Sequence, residues 1–282
     1  MVAGLHSYFE TYINDNFVGE ERLEQLQILD NEIKVMIDGF SNGFVRRVIG
    51  FGEEIGVSFP KNIEKEIRES IYGVFAGRND TVFSVNDLSA LSLIWENSKD
   101  SIRVKGMCSN GTKIYGFTNN TALDLSINYL ASMEIMETFG VSDKVRGMVN
   151  NFLDKFTEHA IEVEEKRQQS MMRANERAME KGLKPRYTLN PNAREDILAL
   201  FNLTKDLYAS GKNAVEVLKE IFALAYEQNK NDKSDFWKNF YENEDGKSTT
   251  DTLLEKWDDF SNSLKNNGRL FDTFYSSWAL EF

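Results

Sequence analysis

The sequence is poor in three residue types, and each scarcity restricts what the chain can be. Cysteine occurs once in 282 residues, as Cys108, so the chain cannot form a disulfide within itself. Proline occurs three times, which favours long uninterrupted helices. Histidine occurs twice, and neither His6 nor His159 lies at a spacing typical of metal ligands. We therefore expect no disulfide framework and no metal site.

Long hydrophobic runs and nucleotide-binding motifs are also missing. No stretch approaches the roughly 18 apolar residues of a membrane span, and the first residues lack the basic-then-apolar pattern of a secretory signal. The glycines Gly50, Gly52 and Gly56 are spaced one residue too widely for the dinucleotide fingerprint, with two carboxylates where a phosphate would lie. We expect a cytoplasmic protein without membrane contact or cofactor, and no residue is indicated as catalytic.

What is present is typical of a folded, mainly helical protein. Hydrophobic residues make up 41% of the chain and aromatic residues 12%, enough to bury a large core. Apolar residues recur every three or four positions over most of the sequence, which indicates amphipathic helices. We expect a multi-helix globular protein, with an N-terminal helical region at 1–140 and a C-terminal helical region at 141–282, or a single domain.

One segment departs from helical spacing. Apolar and polar residues alternate over 101–118, and Asn110-Gly111 is a strong hairpin-turn signal. The sequence therefore predicts one small β-hairpin at about residues 101–118. With those two residues as the loop, Val104 would face Phe117 and Gly106 would face Tyr115.

The most informative segment runs from about 142 to 181 without a proline. Its first half carries a regular apolar stripe, whereas the second half, from Glu164, offers few apolar residues. A single helix of this length would measure roughly 60 Å, longer than a domain of this size is wide. We expect a long, protruding helix whose far end lies against another element or another chain, or stands in water.

Positive charge is concentrated in and after this helix. The whole chain carries a net charge of −12, but residues 166–194 contain eight cations against two carboxylates. Together with the basic residues of the hairpin, they form the candidate site for RNA or single-stranded nucleic acid: Arg103, Lys105, Lys113, Arg173, Arg177, Lys181, Lys184, Arg186 and Tyr187. The competing interpretation is that these cations are paired with neighbouring glutamates along the helix.

The same helix offers a second kind of surface. Small and flexible apolar residues of its second half suit an adaptable helix–helix contact, and they are the candidate partner-binding set: Met171, Ala174, Ala178 and Met179. An antiparallel or swapped helix pair between two copies would bury them.

Three functions follow from the sequence, in order of preference. The first is a non-enzymatic protein that binds macromolecules or assembles with itself as a homo-oligomer, or with another protein, through the long helix and the following loop. The alternative is an RNA- or single-stranded-DNA-binding protein, and the third is an enzyme of unrecognised type. The composition, rich in Asn, Lys and Asp, would suit an AT-rich genome such as that of a bacteriophage.

Overall fold

A computed structural model of the chain describes residues 2–78, 80–101, 104–107, 113–115, 120–232, 234–242 and 246–266. The fold is mainly α-helical, as the sequence predicts. In chain order the described helices are α1 (Val2–Asn16), α2 (Gly19–Val45), a π-helical segment (Arg46–Gly50), α3 (Phe51–Glu54), α4 (Ile63–Phe75), α5 (Val85–Ser101), α6 (Thr121–Phe139), α7 (Asp143–Glu180), α8 (Ala193–Ala209), α9 (Ala214–Asn229), α10 (Asp235–Lys238) and α11 (Thr249–Asn266). None of the helices in this part of the chain has the length and apolarity that crossing a membrane requires.

The chain divides into two compact units, and neither is a single continuous stretch. Among the described residues, the first unit contains 2–95 and Phe139–Met148, and the second contains Glu96–Thr138 and 149–266. The predicted boundary near residue 140 separates two continuous regions, and it stays a prediction.

In the first unit, α2 packs against both α1 and α4. Its core includes Phe44, Ile67 and Phe83, each at most 1% exposed. The sequence predicts an end of α2 at Gly39, which is wrong, because the helix continues to Val45. Burial of Phe44 one turn beyond that glycine outweighs the roughly 1 kcal/mol that glycine costs inside a helix.

In the second unit, α8 packs against α9, and α9 also contacts α11. Aromatic rings fill much of its core. Phe152 and Phe156 of α7 stack with ring centroids 5.6 Å apart, and Phe222 of α9 meets Phe240 edge to face at 5.9 Å. Such pairs stabilise a core by about 0.5–1.5 kcal/mol beyond the area that they bury.

The two strands lie between α5 and α6. β1 (Val104–Met107) and β2 (Lys113–Tyr115) pair antiparallel, with Val104 opposite Tyr115. The predicted register is therefore wrong. Gly106 lies opposite Ile114 instead of Tyr115, and an irregularity between Val104 and Gly106 displaces Val104 by one further position from the predicted partner Phe117. The turn at Asn110-Gly111 lies outside the described residues, so the complete hairpin stays a prediction.

Helix starts show how far local sequence determines the elements. Asn213 and Glu216 form the capping box that the sequence predicts at the start of α9, with each side chain bonded to the other residue's backbone N–H at 3.0 Å. At α6, however, the predicted cap Thr121 is wrong. Asn120 accepts the hydrogen bond from the Leu123 N–H at 2.9 Å, which leaves the Thr121 hydroxyl free to donate to Glu164 of α7 at 3.1 Å.

Candidate binding groove

The long helix α7 exists as the sequence predicts, and its two halves differ in burial. It has 38 residues, about 57 Å at a rise of about 1.5 Å per residue. Val149, Phe152 and Phe156 of the first half are at most 1% exposed. In the second half the large side chains Met172 and Met179 are 45% and 54% exposed. The apolar stripe therefore ends where the sequence indicates.

The chain reverses direction directly after α7. Gly182 adopts a φ of +70°, a conformation that glycine reaches without steric cost. The N–H of Gly182 bonds to the Met179 carbonyl and that of Leu183 to the Ala178 carbonyl, each at 2.9 Å. This pair of bonds is a Schellman motif, which satisfies the last carbonyls of the helix and turns the chain back.

Asn175 holds the returning segment, residues 183–190, against the helix. Its side-chain oxygen accepts hydrogen bonds from the backbone N–H groups of Arg186 and Tyr187 at 2.8 and 2.9 Å. Its side-chain nitrogen donates to the Tyr187 carbonyl at 2.8 Å. Since Asn175 is only 6% exposed, these three bonds are shielded from water and replace the backbone pairing that a loop lacks.

A second amide fastens the far end of this segment. The Gln168 side-chain oxygen accepts from the Asn190 N–H at 3.1 Å, and the Asn190 side chain donates to Asp196 of α8 at 2.8 Å. The second half of α7 is therefore met by the chain's own next segment on one side. This is one of the outcomes that the sequence predicts for the far end of the helix, contact with another element, and the amides of the buried Asn175 and the half-buried Gln168 supply it where the apolar stripe is weak.

Helix and returning segment enclose an open groove of about 350 Å³. We call it the basic groove, and it is lined by Arg167, Ser170, Met171, Ala174, Arg177, Ala178, Lys181, Leu183, Arg186 and Tyr187. The lining combines apolar side chains with four cations and contains no carboxylate. Glu176 and Glu180 lie on a different face of α7, since residues two apart on a helix point about 200° from each other.

The cations of this region fall into two groups. Lys166, Arg167 and Arg194 form ion pairs with Glu162, Glu164 and Glu165, at 3.9, 3.0 and 3.1 Å. Within the described part of the chain, the side chains of the other five form no ion pair: Arg173, Arg177, Lys181, Lys184 and Arg186. Pairing with neighbouring glutamates therefore accounts for only some of the positive charge.

The two predicted site sets partly coincide in the basic groove. Its lining contains Met171, Ala174 and Ala178 from the partner-binding set, and Arg177, Lys181, Arg186 and Tyr187 from the nucleic-acid set. Met179, Arg173 and Lys184 are exposed and do not line it. Arg103 and the side chains of Lys105 and Lys113 lie outside what the structure describes, so their part in the site stays a prediction.

Sequence reasoning missed Ser170 and Leu183 in the groove, and it missed the role of Asn175. Leu183 is 51% exposed and directly follows Gly182, where the helix ends. A glycine after a periodic segment is the sequence signal that could have predicted a turn at this point. A lone asparagine inside a helix gives no such signal, because its partners lie 11 and 12 residues away.

A second cavity of about 280 Å³ lies beside the groove and is mainly polar. At its wall, Glu164 is 7% exposed and accepts hydrogen bonds from Thr121, Arg167 and Gln168 at 3.1, 3.2 and 2.7 Å. A carboxylate with both oxygens engaged in this way acts as an anchor for its neighbours. In the described residues, no three or more His, Cys, Asp or Glu side chains are grouped so that they could hold a metal ion.

Comparison with protein-family models, with curated proteins and with solved structures finds no match for this chain. The basic groove therefore has to be interpreted from its own geometry.

Proposed function

We propose that this protein binds a macromolecule through the basic groove and acts by that contact without catalysing a reaction. One observation carries the proposal: an apolar floor is bordered by Arg177, Lys181 and Arg186, whose charges have no partner within the described chain. Arg177 and Lys181 stand four residues apart, where like charges on a helix repel by about 0.2–0.5 kcal/mol. An acidic, partly apolar ligand would relieve that repulsion and cover the floor.

The floor itself favours a protein segment as the ligand. Ala174 and Ala178 are small enough to let another backbone approach closely, and Met171 adapts its shape to what covers it. Phosphate binding needs none of these apolar residues. The single cysteine agrees with a reducing cytoplasm as the place where this contact forms.

The test compares affinity capture by the full chain with capture by Arg177→Glu/Lys181→Glu. Lysate of the source cell is treated with nuclease, so that nucleic acid cannot bridge the partners. Lys65→Glu/Lys219→Glu is the matched control, because it makes the same charge change at exposed residues that do not line the groove. We expect the groove variant to lose partners that the control keeps, and equal capture by both would contradict the proposal.

A specific observation favours nucleic acid as a second candidate. Arg173 and Lys184 lie outside the groove lining and are also without an ion pair in the described residues, so the unpaired cations extend beyond the apolar floor. A single strand could follow such a row of charges past the aromatic ring of Tyr187, which lines the groove. Nucleic-acid binding would therefore use Arg173 and Lys184, whereas binding of a protein segment in the groove would not.

A further inference from the structure

The outward face of α2 carries an acidic and apolar pattern that the described residues of its own unit leave exposed. Ile28 and Val35 are 47% and 66% exposed, although both are large apolar residues. They stand seven residues apart and so share one face, opposite the face that buries Ile37 and Phe44. Exposed apolar residues of this size indicate a contact surface, because covering them removes apolar area from water and lowers the free energy.

Glutamates surround these two residues on the same face. Glu24 and Glu32 are exposed and each lie four residues from Ile28, and the exposed Glu21 lies seven residues from it, which places all three on its face of the helix. The cations Arg22 and Lys34 project well to either side, since each is about 120° from Ile28 around the helix. We call Glu21, Glu24, Ile28, Glu32 and Val35 the acidic face.

The exposed apolar surface is concentrated in this part of the chain. Residues 8–38 contain eight carboxylates against two cations. They also contain more than half of the exposed large hydrophobic residues that the described chain has, namely Tyr8, Phe9, Tyr12, Val18, Leu23, Ile28, Val35 and Met36. Residues 8–38 thus hold most of the exposed large hydrophobic residues of the described chain and an excess of negative charge.

The basic groove matches the acidic face in spacing, length and charge. Its lining includes residues 167, 171, 174 and 178 of α7 and residue 181 directly after the helix, the alternating four-and-three spacing by which one helix receives another. Those positions span 14 residues, about 21 Å, which is also the span from Glu21 to Val35. The unpaired cations border the apolar floor of the groove, and glutamates border the apolar pair of the acidic face.

We propose that the acidic face of one copy of this chain binds in the basic groove of another copy. This inference rests on the proposed function and names its partner. Because the two surfaces are different regions of the chain, the contact is head-to-tail, and each copy offers one of each. Repetition of such a contact gives a ring if the rotation closes and a filament if it does not.

Two full-length variants test the proposal, each with one surface disabled. The groove variant is Arg177→Glu/Lys181→Glu, and the face variant is Ile28→Gln/Val35→Gln, which removes the apolar pair without adding charge. Leu23→Gln/Met172→Gln is the control, because both residues are exposed and apolar but lie outside the two surfaces. Circular dichroism and thermal melting establish that each variant folds.

Light scattering over a concentration series measures the assembly. We expect wild type and control to exceed the 32.4 kDa of one chain, and each disabled variant alone to remain at that mass, with association weakened by about tenfold or more. A mixture of the two disabled variants should form pairs only, since one intact groove and one intact acidic face remain between them. This complementation distinguishes the head-to-tail contact from a groove-to-groove contact, in which the face variant would assemble normally.

Four results would overturn the inference: a wild type that stays at the mass of one chain, a face variant that assembles like wild type, a groove variant that assembles like wild type, or a mixture without pairs. A monomeric wild type whose groove variant still loses captured partners would reject self-assembly and leave the proposed function standing. A groove variant that both assembles and captures normally would reject both.

Discussion

At the scale of single residues, Tyr208 of α8 lies in surroundings that favour its protonated form. Its hydroxyl donates a hydrogen bond to the Glu137 carboxylate, and its ring meets Tyr129 edge to face at a centroid distance of 6.2 Å. Burial, followed by the hydrogen bond and the negative charge of Glu137, raises the pKa of Tyr208 well above its ordinary value of about 10. The neutral phenol is therefore part of the folded state.

This shift predicts a loss of stability in alkali. An unfolded Tyr208 releases its proton near pH 10, whereas the folded one keeps it, so its contribution is complete below about pH 10 and falls as the pH rises further. Tyr208→Phe should cost about 1 kcal/mol near neutral pH by removing the hydrogen bond. Urea unfolding at pH 8 and pH 11 should show the difference from wild type shrinking at the higher pH. Tyr12→Phe, at a tyrosine that is 53% exposed, is the control, and a difference that stays constant would contradict the argument.

At the scale of elements, the periodicity of apolar residues predicted where helices lie better than it predicted where packing extends or exposes them. The sequence placed the long helix at 142–181, and α7 runs from Asp143 to Glu180, because both its proline-free stretch and Gly182 are local signals. The prediction that α2 ends at Gly39 was wrong, because the helix continues so that Phe44 can pack against residues distant in sequence. Leu23 precedes Leu26 by three positions, so its spacing predicts burial on the apolar stripe of α2, but it is 61% exposed.

The candidate site was predictable in residue types but not in arrangement. Charge density alone pointed to Arg177, Lys181 and Arg186, and all three line the groove. That they share it with Met171 and Ala174 depends on the path of residues 183–190, which Asn175 fixes through bonds to a segment beyond the helix. No periodic pattern encodes a bond of that kind, so sequence analysis treated the apolar and basic sets as rival sites.

Asn175→Ala should therefore release the returning segment and leave the helix intact. The variant removes three shielded hydrogen bonds and exposes the Arg186–Tyr187 bond, which trypsin can cut, whereas Pro185 protects the bond after Lys184. We expect tryptic cleavage after Arg186 to accelerate about tenfold or more, corresponding to about 1–3 kcal/mol of lost local stability. Mass spectrometry of the fragments identifies the site.

Asn175→Asp serves as the matched variant for this test. Its carboxylate can still accept from the N–H groups of Arg186 and Tyr187 and loses only the donation to the Tyr187 carbonyl, so cleavage should be intermediate. Equal cleavage of wild type and Asn175→Ala would show that other contacts hold the segment.

At the scale of the whole molecule, the charge distribution separates self-assembly from nucleic-acid binding. The net charge is −12, yet residues 101–200 sum to +1, while residues 1–100 sum to −8. The field of such a chain repels a polyanion everywhere except near its basic surface. It also gives that surface an abundant acidic partner in every other copy of the same chain.

We therefore expect an oligouridylate of about 20 nucleotides to remain unbound at about 150 mM salt, as measured by fluorescence anisotropy, because the overall charge opposes it. Arg173→Glu/Lys184→Glu should then leave light-scattering masses unchanged, since neither residue lines the basic groove. Binding that weakens steeply with salt and is lost in this variant, but not in Lys65→Glu/Lys219→Glu, would contradict the expectation. It would also mean that the three unpaired cations of the groove act together with Arg173 and Lys184 as one phosphate-binding track, rather than as the border of a helix-binding groove.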